Sequence, residues 1–174
     1  MKKLWAIGLS AAVLLTACGE EETVETTEAT AGAEGSEGNK EVKQELMQFY
    51  MSIPNTINAV DSDLNAFEMN QAEGTLPKGE ELQAMTDAAI ASAEEAAGAV
   101  DTIEIPAALE EQQEKIETAF AAMRESYEMK AEELTKDASF EAANEKFGEA
   151  DATLNELLEE QELAASSIYN EVSQ

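Results

Sequence analysis

Histidine is absent from this chain of 174 residues, and cysteine occurs once, at Cys18. These gaps remove Ser-His and Cys-His nucleophile systems, zinc sites built on His or Cys, and the Glu-x-x-His signature of di-iron helical bundles. A single thiol also forbids an intramolecular disulfide. No glycine-rich phosphate loop occurs. Tryptophan appears only as Trp5, which disfavours a sugar platform, since such platforms usually present an exposed aromatic face. Basic residues are scarce too: ten Lys and Arg stand against 38 Asp and Glu, for a net charge of −28. Such a surface repels nucleic acid, anionic headgroups and teichoic acids, and holds cations only weakly and diffusely. The same acidity keeps exported or salt-exposed proteins soluble without any specific partner. What remains for catalysis is carboxylate pairs, which 38 acidic residues produce by chance. The chain therefore reads as non-enzymatic, with no catalytic, metal or cofactor residues.

What is present begins at the N-terminus. Met1-Lys2-Lys3 is basic, Leu4 to Ala17 is almost wholly apolar, and small residues lead up to Cys18. This is the three-part layout of a secretory signal, too short to span a bilayer comfortably as a mature helix. A buried N-terminal helix is the alternative, and it would make the basic start and the abrupt polar switch accidental.

Leu15-Thr16-Ala17-Cys18 resembles the lipobox of bacterial lipoproteins. The resemblance implies diacylglycerol transfer onto the Cys18 sulfur, with Leu15, Thr16 and Ala17 recognised by the lipoprotein signal peptidase, which cleaves before Cys18. It also implies a place on the extracytoplasmic face of the cell membrane. Acyl chains at about 0.8 kcal/mol per buried methylene make a two- or three-chain anchor stable. Loss of residues 1–17 takes Lys2 and Lys3 with it; eight basic residues then face the 38 acidic ones, formally −30.

Residues 18–39 follow as a tether. From Gly19 the stretch "GEEETVETTEATAGAEGSEGN" has no aromatic residue and one Val, too little apolar area to offset backbone ordering. As a flexible coil it spans roughly 25 Å, more under glutamate repulsion. An acidic docking arm or a glycosylated threonine stalk is the functional alternative.

Residues 40–174 take up a helical period. Leu46, Ile53, Val60 and Phe67 recur every seven positions, giving one stripe on a helix over about 40–71. Pro54 lies inside it, so a kink or fresh start is expected near Ser52. A second helix, about 80–102, has a mostly alanine inner face through Ala89, Ala93 and Ala96. Pro106 suits the first position of a third, whose stripe runs Leu109, Ile116, Phe120, Met123, Tyr127 and Leu134, interrupted by Gln113 and Lys130. Asp137 or Ser139 can cap a fourth, with Phe140, Phe147, Leu154 and Ile168 at one heptad position and Ala143, Ala150, Leu157 and Ala164 at the other. Short connectors force antiparallel neighbours. The expected fold is all-α: an antiparallel up-down four-helix bundle, or five helices if Pro54 breaks the first.

Several residues invite a site reading. Asp61, Asp63 and Asn65 match the opening of a calcium loop, but Ala66 and Ala72 replace its turn glycine and bidentate glutamate; helix surface is expected instead. Met47 and Met51, four apart, are better gap-fillers beside the core than a Cu(I) site. Tyr50, Tyr127 and Tyr169 suit the edge of a stripe, where a partner could use them. Lys130 and Gln161 read as register-setting or end-of-bundle residues.

The helical part, through "IPAALEEQQEKIETAFAAM", is similar to small helical surface lipoproteins of Gram-positive bacteria, a resemblance that carries no functional residues over. The expected function is a membrane-anchored, non-enzymatic helical module that engages another cell-envelope component, its partners being the membrane through the anchor and an envelope protein. The alternative is a small-ligand or cation-binding lipoprotein serving a sensor or transporter.

Overall fold

The computed structural model describes residues 34–173, with side chains from Lys40 onward. Leu15, Thr16, Ala17 and Cys18 lie outside the described residues. Six α-helices and one 3-10 segment follow, and the described residues contain no strand: α1 (Glu34–Ile57), α2 (Ser62–Glu73), α3 (Glu80–Val100), the 3-10 segment (Ala107–Gln112), α4 (Gln113–Leu134), α5 (Glu141–Glu160) and α6 (Ile168–Val172). No helix among these is long and apolar enough to cross a membrane. Helix α1 begins at Glu34 rather than near Lys40, so the last residues of the expected coil are helical backbone.

The fold is the all-α bundle expected from the periodicity, with its first and last segments each broken in two. Pro54 does not make the first break: it sits inside α1. Hydroxyls of Ser52 and Thr56 donate to the Phe49 and Ser52 carbonyls at 2.6 and 2.9 Å, a back-bonding that lets a helix bend around a proline instead of ending. The break falls over residues 58–61, and a side chain from α3 holds it together. Ser92 Oγ donates to the Val60 carbonyl (2.7 Å) and accepts from the Leu64 amide (3.3 Å), satisfying groups that a helix end leaves orphaned. This explains a buried serine in the alanine stripe of α3. Helix α2 ends at Gly74, whose φ of +69° is the left-handed geometry that glycine adopts without strain.

Helices α4 and α5 are antiparallel neighbours. Lys115 pairs with Glu160 at one end of the pair, Lys146 with Glu125 further along (3.3 Å), and the Ser126 hydroxyl donates to the Ala143 carbonyl at 2.7 Å. No side chain caps α5 at its start: Phe140 occupies the capping position without a side-chain hydrogen bond, so neither Asp137 nor Ser139 has the expected role. Pro106, likewise, precedes a 3-10 segment before α4 begins.

The chain reverses after α5 instead of continuing its heptads. Glu162 adopts a φ of 54°, and the Leu163 amide donates back to the Leu158 carbonyl at 2.8 Å. The return path is pinned to α5: Asn155 Oδ1 accepts from the Ser166 amide (2.9 Å) and Asp151 Oδ1 from the Ile168 amide (2.8 Å). Ile168 is fully buried, whereas Ala164 is exposed, so the second heptad position stops at Leu157. Ser167 caps α6 through the Asn170 amide.

The core gathers Leu46, Ile53 and Ile57 of α1, Leu64 of α2, Met123 and Tyr127 of α4, and Phe147, Leu154 and Leu157 of α5, all nearly or fully buried. Ala89, Ala93 and Ala96 face it from α3, as expected, while Val60 and Phe120 are only partly buried. Phe147 stacks edge-on to Tyr127 (5.9 Å between centroids) and Tyr169 (5.4 Å), tying α4, α5 and α6 together.

Candidate functional site

Two features differ from an ordinary apolar bundle interior and an ordinary acidic surface. The first is charged and central. Lys130 of α4 is buried and pairs with Glu68 of α2 at 2.7 Å, its ammonium lying 5.8 and 5.9 Å from the ring centres of Tyr127 and Phe140. It is thus a buried residue in the last turns of α4 (Gln113–Leu134), beside the start of α5. Its charge is answered by a carboxylate and two aromatic faces, the conditions under which a lysine tolerates burial. Gln161 sits at a helix end, as the C-cap of α5.

Asp61 belongs to the same centre. It stands at the head of α2, only 1% exposed, where helix surface was expected; Asp63 is exposed and Asn65 partly buried. The residues 62–73 form one helix, so no calcium loop exists here. Burial pushes the Asp61 carboxyl up to about 6, with the Glu68 charge adding to the rise, while Asn65 and Lys130 oppose it. Burial likewise holds the Tyr127 phenol well above its usual range, followed by the charges of Asp61 and Glu68. Asn65 thus acts on the Asp61 carboxyl and Asp61 in turn on the Tyr127 phenol, yet no well-formed hydrogen bond reaches the Asp61 Oδ2. A buried acceptor without a partner costs free energy, and more when it is ionised.

Asp61 is one of the residues lining an open groove of about 540 Å³ between the start of α2 and α6, together with Asn58, Asn65, Ala66, Met69 and Glu171. The C-terminal helix builds one wall. Asn58 Nδ2 donates to the Glu171 carbonyl (3.0 Å) and Asn65 Nδ2 to the Val172 carbonyl (2.7 Å).

The second feature is apolar. Met47 and Met51 of α1 are 51% and 63% exposed, not tucked beside the core. With Tyr50, Leu158 and Leu163 they line a groove of about 200 Å³ between α1 and the link after α5. Methionine makes such a surface adaptable, because an unbranched thioether repacks readily against different shapes. The Tyr50 hydroxyl is buried beneath it without a well-formed hydrogen bond, and its pKa is pushed up to about 12 by burial and then by the Asp151 charge. The tyrosines therefore depart from the stripe-edge expectation: Tyr127 and Tyr50 are buried, and only Tyr169 is intermediate.

Among the described residues no group of three or more His, Cys, Asp or Glu side chains could hold a metal ion. Heptad reading could not have found the Asp61 centre, because it treats acidic positions as solvated. The available signal was Ser92 in an alanine stripe together with Lys130 at a core position: two polar residues that the bundle had to satisfy from within. No family model, curated protein or solved structure matches the chain.

Proposed function

We propose that this chain is an extracytoplasmic lipoprotein, anchored to the cell membrane through Cys18, whose helical module engages another envelope protein without doing chemistry. The observation that supports this reading is the methionine groove. Exposed apolar side chains grouped on one face mark contact surfaces more often than isolated ones do. This group lies on α1, the first helix after the expected tether, in a chain with 38 acidic and ten basic residues. The partner that fits carries an apolar side chain for the groove and a basic rim to meet the acidic surround. The lipid holds the module at the membrane, which raises its effective concentration near other anchored proteins.

Photocrosslinking on living cells tests the partner surface. A photoreactive residue at position 51 of the anchored full chain should yield one reproducible envelope-protein adduct, lost in the Met47→Glu variant. Adducts that ignore Met47→Glu, or that form equally from an exposed position on α3, would overturn it. The second reading, capture of a small ligand or cation for a sensor or transporter, is favoured by one observation, the buried Asp61 among the residues that line the α2–α6 groove.

A further inference from the structure

We infer that the groove between α2 and α6 is a binding site for a small organic primary ammonium ion, with Asp61 as the residue that receives the charge. Four observations converge on this chemistry. Asp61 is 1% exposed, its Oδ2 has no hydrogen-bond partner, and it lines the groove. Its charge is only partly met: Asn65 and Lys130 favour the ionised carboxyl, but Lys130 is itself paired with Glu68 at 2.7 Å, so two carboxylates share one ammonium.

The rim carries acceptor oxygens, beside the Ser62 hydroxyl. Asn58 and Asn65 each donate one amide N–H to the backbone carbonyls of Glu171 and Val172, their side-chain oxygens remain acceptors, and Glu171 also lines the groove. A ligand that satisfies such a rim brings donors and positive charge, as an ammonium group does with three N–H bonds. Ala66 and Met69 supply an apolar strip for a short carbon chain, and about 540 Å³ suits a small organic molecule better than a bare ion. A hard divalent cation asks for six to eight oxygen ligands rich in carboxylate, and no set of three carboxylates converges among the described residues.

This site is separate from the methionine groove, so either can fail without the other. The test is NMR titration of the isotope-labelled full chain in detergent with butylammonium, at constant ionic strength. Saturable shifts are expected at the amides of Asn58, Ser62, Asn65 and Glu171, with those of Met47 and Met51 unmoved. Binding should weaken at least tenfold in Asp61→Asn and measurably in Glu171→Gln. Tetramethylammonium, which has the charge but no N–H donors, should bind at least tenfold more weakly. Three results would overturn the assignment: equal effects of tetramethylammonium, which would mean diffuse charge attraction alone; tighter saturation of the same amides by calcium; or unchanged binding in Asp61→Asn.

Discussion

Replacement of Phe147 by alanine is expected to lower unfolding stability by about 4 kcal/mol, within the range found for truncating buried aromatic rings. Phe147 is 1% exposed and meets rings from two other helices, Tyr127 at 5.9 Å and Tyr169 at 5.4 Å. Its removal opens a void at the point where α4, α5 and α6 converge, and edge-on ring contacts are lost as well. Domains typically have about 5–15 kcal/mol in total, so a loss of this size leaves an appreciable unfolded population. Urea denaturation of the full chain measures it directly. Phe120→Ala serves as the comparison: that ring is partly buried and makes one tilted contact, with Phe49 at 5.9 Å, and its loss should cost less than half as much. Equal costs at the two positions would contradict the packing described.

Asp61→Asn carries the second large effect, one that depends on pH. Burial raises the Asp61 carboxyl from 3.8 to about 6 in the folded chain, whereas unfolding returns it to the ordinary value. Between those values the folded state keeps a proton that the unfolded state has released. The contribution of Asp61 is therefore fully present below about pH 4 and is lost as pH rises through 6. A displacement of roughly two pH units, at about 1.4 kcal/mol each, corresponds to about 3 kcal/mol. Asparagine cannot ionise, so the stability of the variant relative to the parent should improve by about this amount between pH 4 and pH 8. Taking the difference removes what the other carboxylates contribute, including the general repulsion of a chain at −28. A difference that stays flat across that range would show that Asp61 is solvated and the described centre is wrong. The cost of leaving this carboxylate buried and unpaired is the kind of local instability that binding sites store and ligands relieve.

Periodicity carried the fold class, and the reason lies in what heptads report. Leu46, Ile53 and Phe67, or Met123 and Leu134, repeat because a helix buries one stripe, whatever its neighbours are. The same reasoning misread the interruptions. Pro54 looked like the break, yet α1 continues through it to Ile57; the break at 58–61 is held by Ser92, which is about thirty residues away in sequence and invisible to local pattern. Ile168 fell on the heptad of α5 by coincidence: it reaches the core from a chain that has reversed at Glu162. Asp61 was hidden by the assumption that acidic residues are solvated, which is sound for most of the 38. It sits beside Tyr127 and Lys130 of α4, which are far from it in sequence. The methionines failed the other way, since apolar residues at helical spacing were read as core-side filler although α1 leaves Met47 and Met51 outward.

The proposed function rests first on the anchor, because a module without it has no fixed place beside an envelope partner. The most direct measurement is the intact mass, with N-terminal peptide mapping, of the chain extracted from the membranes of the cell that makes it. The account predicts a chain that begins at Cys18 and carries diacylglycerol on its sulfur. A chain that still begins at Met1, or a free Cys18 thiol, would contradict it.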